Sequence, residues 1–447
     1  MNIRKTLAIS AAKSAIILGK ILGKKGSSAP GSLAMKIYPD ILKELSASIK
    51  EEIICVCGTN GKTTTTNLIY SMLTNAGKKT VCNNVGANML PGIACAFIKD
   101  ASLSGRLKSD FAVLECDEAS LRHIANHINI DKVIVTNLFR DQLDRYGEVE
   151  LTAKLLDEAF EKIPNAQLIL NADDPISSYF GKKYNAVYYG IDYNANNTDD
   201  GVKEGKYCPE CNCELEYSSH YYSQMGIYKC TNCEYKRNTP DYLAHNIDMS
   251  DGLMFDISYR KNNQNIHVDY KGFYNIYNIL GAFSVYESLG MGTDVVVPTL
   301  SSYKPQIGRM ESFCINGKKV ILNLAKNPAG FNQALETLCT DNDEKDVYIA
   351  VNDMPSDGTD VSWVWDVDFE KLLTAKVNTV YVGGNRMDEL ALCINYSGCN
   401  IQKVCRVDKK SLKELIYSSK NTAYILVNYT VLFETQKTLK KLEREGK

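Results

Sequence analysis

Two clusters of residues in this sequence have types and spacings that can do chemistry. The first is Gly58-Thr59-Asn60-Gly61-Lys62-Thr63-Thr64. Its two glycines allow a tight loop whose backbone N–H groups face inward. Lys62 can reach terminal phosphates, and Thr63 can hold a magnesium ion. The second is a pair of pairs, Cys208/Cys211 and Cys230/Cys233, with 18 residues between them. Four thiolates at that spacing fit a zinc ribbon, a closed tetrahedral site with no exchangeable position and therefore a structural role. Cys213 lies too close behind Cys211 to be the better ligand.

Each cluster needs elements to hold it. Ile53 to Cys57 is a short apolar run that reads as a buried strand. A helix begins in the threonine run after the loop and presents Leu68, Ile69, Met72 and Leu73 to a sheet; its N-terminus favours phosphate. Three more strand patterns end in polar clusters. FAVLE ends at Glu115, KVIVT runs into Asn137, and QLIL ends in the Asn-Ala-Asp-Asp-Pro run at Asn171–Pro175. Ligand groups gather at the carboxyl ends of parallel strands. Glu115 is therefore the candidate magnesium carboxylate beside Thr63.

Past residue 311 the strand patterns Val347–Asp353, Thr379–Arg386 and Ala423–Thr430 alternate with helical ones, a second α/β unit with a parallel sheet. Between the first two strands runs MPSDGTDVSWVWDVDFE. It carries both tryptophans, Trp363 and Trp365, with Asp357, Asp360, Asp366 and Asp368. It reads either as an acidic surface loop with a tryptophan anchor or as a binding surface.

Composition bounds the rest. The 447 residues suggest about three domains at roughly 150 residues each. Lys plus Arg is 51 and Asp plus Glu 53, for a net charge of −2, which argues against a nucleic-acid partner. An apolar share of 45% with 23% charged residues excludes disordered and coiled-coil classes. Fifteen cysteines are many, but five of them lie between Cys208 and Cys233. Others, including Cys55, Cys57, Cys95 and Cys393, read as buried thiols in a reducing cytosol.

The first 36 residues hold seven Lys or Arg and no acid. Lys13 and Lys20 interrupt the apolar run, so it is neither a signal peptide nor a membrane span. Helical spacing puts Lys13, Lys20 and Lys24 on one face, with Leu7, Leu18 and Leu22 opposite. Two readings stand: a basic helix packed on its own domain, or one lying at an anionic membrane surface. The expectation is a cytoplasmic protein, with peripheral membrane contact at the inner face as the second reading.

The motifs GTNGKTTT, Thr136-Asn137, DQLDRYGE, NADDP, GFYNIYNILGA and GRME, in that order, resemble the Mur ligases over residues 50 to about 330. Folylpolyglutamate synthases are cousins. The resemblance implies ATP-dependent amide formation through an acyl phosphate. It also implies that Gly58 to Thr64 bind ATP, that Thr63 and Glu115 hold magnesium, and that Asn278 and Arg309 face the nucleotide. Three departures stand out. Only about 50 residues precede the first strand, where ordinary Mur ligases carry a UDP-recognising domain. DQLDRYG has Gln142 or Tyr146 where the family has a metal-binding histidine, which leaves the number of magnesium ions open. NLAKNPAG at Asn323–Gly330 replaces the usual Asp-Tyr-Ala-His stretch.

The short lead, the ribbon and the DGTDVSWVWDVDFE segment are together similar to one branch of the family, the ligase subunits that amidate the D-glutamate of lipid II. That likeness implies a heterodimer with a GatD-type glutamine amidotransferase, lipid II as substrate, and Asp360 as the acid that completes the partner's triad, with Asp357 three residues away. No histidine follows His267, so the second unit builds no Cys-His pair of its own and its ammonia is brought in.

The expected architecture is α/β: a Mur ligase central P-loop ATPase domain with an inserted four-cysteine ribbon, plus a C-terminal Rossmann-like α/β domain. The expected boundaries are a basic helical lead at 1–49, the central domain at 50–310 with the ribbon at about 203–238, and a glutaminase-docking domain at 311–447. The alternatives are a folylpolyglutamate-synthase-like ligase and a non-catalytic nucleotide-binding subunit.

Overall fold

A computed structural model describes residues 3–21, 28–83, 87–141, 149–193, 205–303, 308–399, 404–406, 411–419 and 422–445. The chain forms two compact units. One comprises Met1–Phe139, Val149–Asp269 and Asn275–Tyr303; the other comprises Arg140–Glu148, Tyr270–Tyr274 and Lys304–Lys447.

The first unit opens with helices α1 (Ile3–Ile21), α2 (Ala29–Ile37) and α3 (Ile41–Ser46). Its nine-stranded sheet contains β1 (Ile53–Cys57), β2 (Thr80–Cys82), β3 (Phe111–Glu115), β4 (Lys132–Val135), β5 (Gln167–Asn171) and β6 (Ala186–Ile191). It continues with β9 (Tyr242–Asp248), β10 (Leu253–Tyr259) and β11 (Asn262–Val268). The order is β11-β10-β9-β6-β5-β4-β1-β3-β2. Pairing is parallel from β2 through to β9, and β10 and β11 add antiparallel edges. β1 and β3 are buried at every position, as a central parallel strand covered on both faces must be.

The chain leaves β1 for β2 and β3 on one side, then returns to β4 and β5 on the other. That makes the carboxyl end of β1 a switch point where a ligand crevice opens. Helices α4 (Lys62–Asn75), α5 (Leu90–Asp100) and α6 (Glu118–Ile124) follow β1, β2 and β3. Helix α7 (Tyr274–Ser288) packs close against β4, where a Cβ on Gly281 would come 2.9 Å from Ile134 Cδ1 and that side chain would have to shift. The hairpin β7 (Leu215–Tyr222)/β8 (Met225–Cys230) is a separate two-stranded sheet.

The leucine face of α1 is not the side that packs. The residues it buries are Ala8, Ile9 and Ala12, in one core with Ile41, Leu45, Ile93 and Phe97, whereas Leu7 and Leu18 are exposed. Two alanines and one isoleucine thus make the packed face. Leu22 and Lys24 lie outside the described residues.

The second unit is a six-stranded sheet of β12 (Glu311–Ile315), β13 (Lys318–Leu324), β14 (Lys345–Ala350), β15 (Val377–Gly383), β16 (Val404–Arg406) and β17 (Thr422–Val427). Its order is β12-β13-β17-β14-β15-β16. β12 and β13 form an antiparallel hairpin and the other pairs are parallel, so the sheet is mixed rather than purely parallel.

Its strands alternate between two cores. Ile321, Val347, Ile349, Val380, Tyr424 and Leu426 point to one side; Val320, Leu322, Tyr348, Ala350, Ile425 and Val427 point to the other. Helix α8 (Pro328–Cys339) covers the first face, and Asn327 caps it by accepting the Gly330 N–H at 2.8 Å.

Leu335, on α8, is fully buried there. Leu335→Ala is expected to destabilise the protein by about 2–5 kcal/mol in thermal or denaturant unfolding. Leu373→Ala, at a side chain 56% exposed, is expected to stay within about 0.5 kcal/mol of the parent.

Candidate functional site

The loop after β1 is held by the neighbouring strand end. The Thr59 N–H donates to the Asn137 carbonyl at 2.9 Å, and the Asn60 N–H to Asn137 Oδ1 at 2.9 Å. Thr136 Oγ1 donates to the Asn60 carbonyl at 2.7 Å. Thr59 Oγ1 both donates to the Phe139 carbonyl and accepts its N–H, at 3.0 and 2.9 Å. The Gly58 N–H goes to Glu118 Oε1 at 2.9 Å. Three N–H groups expected to face a ligand are thus used to shape the loop. The donors that remain for an anion are those of the first turn of α4, which have no acceptor within the helix.

Both glycines are required. Gly58 has φ +120° and a Cβ there would sit 2.2 Å from Thr136 Oγ1; Gly61 has φ +88° and a Cβ there would sit 2.2 Å from Asn278 Oδ1. Asn278, buried on α7, therefore stands directly over the loop. Thr63 and Thr64 are half-buried at the start of α4.

Lys62 turns back into its own loop. Its Nζ donates to the Gly58 carbonyl, to the Thr59 carbonyl at 3.3 Å and to Glu118 Oε1 at 2.7 Å. Burial pushes the Glu118 carboxyl up, and Lys62 opposes that shift.

Glu115 ends β3 in register with Val56, beside the loop strand. Asn83 fixes its backbone on both sides, accepting the Glu115 N–H and donating to its carbonyl, each at 2.8 Å. Glu115 Oε1 accepts from Asn88 at 3.3 Å, while Oε2 is buried without a hydrogen-bond partner. A buried carboxylate oxygen left open at a strand's carboxyl end fits a divalent cation.

The cysteine cluster lies on two knuckles. The Cys208–Cys233 and Cys211–Cys230 sulfurs are 3.6 and 3.4 Å apart, and all four lie within 4.8 Å of one another. The backbone closes each knuckle: Cys208 N–H to the Cys213 carbonyl, and Cys230 N–H to the Tyr235 carbonyl, both at 2.7 Å. The Glu210 N–H reaches the Cys208 sulfur, and the Asn232 and Cys233 N–H groups reach that of Cys230, each at 3.4 Å. The backbone N–H of Cys213 draws the Cys211 thiol down to about 6. Four sulfurs so arranged can hold a metal ion, and Cys213 stands outside the group. Of the other cysteines, Cys55, Cys57, Cys95 and Cys393 are buried, but Cys314 is exposed, so the reading of buried thiols does not extend to all of them.

The hairpin above the knuckles reaches the nucleotide loop. Gln224, at its turn and fully buried, donates to the Leu138 carbonyl at 2.6 Å and to Asp174 Oδ1 at 3.3 Å. Asp174 Oδ2 accepts the Leu138 N–H at 2.9 Å. Asp173 has no exposure. It accepts from Arg237 Nε at 2.6 Å, the Tyr277 hydroxyl at 2.8 Å and the Ile191 N–H at 2.9 Å. Burial raises its carboxyl, and Arg237 counters this.

In the second unit, Asp360 lines a pocket with Arg140, Asp141, Asn327, Pro328, Ser362 and Trp363. Its Oδ1 accepts the Ser362 N–H at 2.8 Å, and Ser362 holds its carboxyl below the usual carboxylate range, with help from Arg140. Asp357 differs. It is buried, raised by that burial, and committed to the Thr430 N–H at 2.8 Å and to the Thr430 hydroxyl. Arg140 pairs with Asp366, and Lys326 with Asp141. Trp363 is packed on Phe331 with ring centres 5.4 Å apart, and Trp365 is 46% exposed, so the segment both anchors and presents. Arg309 stands in the turn before β12, next to Gly308.

Comparison with known proteins agrees with this geometry. A family model described as the Mur ligase middle domain matches residues 56–286, and one described as the MurT ligase C-terminal region matches residues 324–432. The chain is 34% identical over 433 residues, 96% of each chain, to the lipid II isoglutaminyl synthase (glutamine-hydrolyzing) subunit MurT of Staphylococcus aureus strain COL. It is 33% identical over 447 residues, 98% of each, to the subunit MurT of Streptococcus pneumoniae. This chain belongs to the Mur ligase family, in its MurT branch. Among solved structures, a pseudomurein peptide ligase type C from Methanothermus fervidus aligns with a TM-score of 0.68 at 24% identity, covering 88% of this chain and 79% of that one, a likeness of fold.

Within the MurT frame, the structure gathers Gly58 to Thr64, Asn278 and Glu115 in the first unit, and the four cysteines at one point of the same unit. Asp360 and Arg309 lie in the second. Gln142 and Tyr146 lie outside the described residues. Sequence reading missed Glu118, Gln224 and the Lys326–Asp141 pair. Glu118 stands in the first turn of α6 after the cap Asp117, and Gln224 at the turn between β7 and β8, so residue type and local spacing carry no signal of their long-range contacts.

Gln224→Ala leaves the Leu138 carbonyl and Asp174 short of a buried donor. It is expected to destabilise the protein by about 1–3 kcal/mol in thermal unfolding and to weaken nucleotide binding in titration calorimetry.

Proposed function

We propose that this chain is the ATP-dependent ligase subunit of a lipid II isoglutaminyl synthase. It works at the cytoplasmic side with a GatD-type glutamine amidotransferase. The observation that carries the proposal is the likeness along 96% of the chain to proteins of that name. The second unit favours it over a folylpolyglutamate-type ligase, since residues 324–432 match the MurT C-terminal model.

The chemistry follows from the two units. The α-carboxylate of the D-isoglutamate in the lipid II stem peptide attacks the γ-phosphorus of ATP. A carboxyl O–P bond forms, the bond to the β-phosphate oxygen breaks, and ADP leaves. Ammonia then attacks the acyl carbon, inorganic phosphate departs, and the nitrogen loses a proton to give D-isoglutamine. The first turn of α4 and Lys62 hold the phosphates, with Lys62 leaving Glu118 to do so. Asn278 lies over the nucleotide loop, and Arg309 is assigned to the nucleotide by family resemblance. Thr63 and Glu115 would hold magnesium, which would supply positive charge against the transferring phosphoryl.

Zinc is the metal proposed for Cys208, Cys211, Cys230 and Cys233, in a structural role. Asp360 is the acid offered to the partner's histidine. It is ionised, half-exposed and oriented by Ser362, whereas Asp357 is already committed to Thr430. Exposed Trp365 and Tyr396, with rings 5.9 Å apart, supply an aromatic anchor for the partner on the same unit.

Assays with lipid II, ATP and magnesium test this. The chain is expected to amidate with ammonium alone and with glutamine only when the partner is added. Asp360→Asn is expected to abolish glutamine use and spare ammonium use; equal loss of both defeats its role. Lys62→Ala is expected to lower both rates by about a hundredfold or more. In metal analysis, Cys230→Ser is expected to release zinc and lower the melting temperature; full folding without metal defeats the structural role.

A further inference from the structure

Helix α1 buries apolar side chains on one face. Its buried residues, Ala8, Ile9 and Ala12, occupy the side turned to the core. At about 100° per residue, Ile3, Leu7, Ile17, Leu18 and Ile21 fall on the opposite side, within an arc of about 100°. These five are between 57% and 77% exposed. Exposed apolar residues scattered singly are ordinary, but a stripe of five along one helix face marks an interaction surface.

The charges flanking the stripe select what covers it. Arg4 lies along one edge and Lys20 along the other, beside Lys13, whose Nζ donates to the Lys99 carbonyl at 3.1 Å; these positions mark the boundary between the open and packed faces. The helix has no acid, nor has any residue before Lys36, and Lys24 and Lys25 follow in sequence.

An apolar stripe edged by cations fits the boundary between acyl chains and anionic headgroups: the apolar side chains enter it and the long basic ones reach back to the phosphates. No helix among the described residues is long and apolar enough to cross a membrane. We propose that α1 lies flat on an anionic bilayer surface, with Ile3, Leu7, Ile17, Leu18 and Ile21 as its insertion face. This rests on the helix and its charges, independently of the amidation reading.

The test is co-sedimentation of the full chain with vesicles free of any lipid-linked peptide, so that substrate binding contributes nothing. The two compositions are phosphatidylcholine alone and phosphatidylcholine with phosphatidylglycerol. The chain is expected to bind the anionic vesicles, to bind neutral ones weakly, and to release in high salt. The triple variant Leu7→Ser/Leu18→Ser/Ile21→Ser is expected to lose affinity for anionic vesicles by more than about tenfold. It keeps the parent's melting temperature, because those side chains are exposed. Lys20→Glu is expected to weaken binding at low salt only.

A second readout is Leu18→Trp, whose fluorescence is expected to shift to the blue with anionic vesicles. Absence of binding by the parent, equal binding by the triple variant, or no blue shift overturns the proposal. So does a parent dimer in vesicle-free solution that the triple variant dissolves, which would make a second copy the occupant. Amidation of detergent-dispersed lipid II is read separately, so the membrane proposal and the amidation reading fail independently.

Discussion

A loop that grips phosphate must be rigid and still have donors to spare. Here both demands are met by dividing the backbone. The N–H groups of Gly58, Thr59 and Asn60 are committed to Glu118 and Asn137, which fixes the loop against the end of β4. The start of α4 is left to meet an anion. Everything else in the first unit serves this arrangement. The crossing of β1 between β3 and β4 brings Glu115 and Asn137 to its two sides, and Asn278 closes over it where no side chain at Gly61 could be tolerated.

The same constraint gives the inserted ribbon a mechanical place in the fold. Its four sulfurs lie away from the nucleotide loop, yet its hairpin turn delivers Gln224 to the Leu138 carbonyl, one residue from the Phe139 backbone that binds Thr59. Asp173 ties the same region together with an uncompensated-looking carboxylate that Arg237, Tyr277 and the Ile191 N–H satisfy from three elements. A buried charge with three donors from distant parts of the chain specifies one arrangement, because losing any donor leaves the charge poorly paired.

What was legible in the sequence was local. The phosphate loop and the cysteine knuckles are written in a few consecutive residues, and their spacing carries the geometry directly. The alternating strands of the second unit were equally plain. Contacts that span the chain were not. Nothing near Glu118 announces Lys62, 56 residues away, and nothing near Lys326 announces Asp141. The packed side of α1 was not legible for a related reason. Periodicity separates basic from apolar positions, but this helix is apolar on two opposite sides, and only packing shows that Ala8, Ile9 and Ala12 take the inner one. The mixed character of the second sheet had a similar origin, since the β12–β13 hairpin depends on pairing rather than on pattern.

The inward turn of Lys62 also bears on selectivity. With its ammonium matched to Glu118 and to loop carbonyls, the loop in this state offers little unbalanced positive charge to a passing anion. Under the proposed function, a nucleotide that engages α4, Asn278 and a divalent cation at once would supply the exchange partner for that ammonium, where a single phosphate, with fewer contacts, would not.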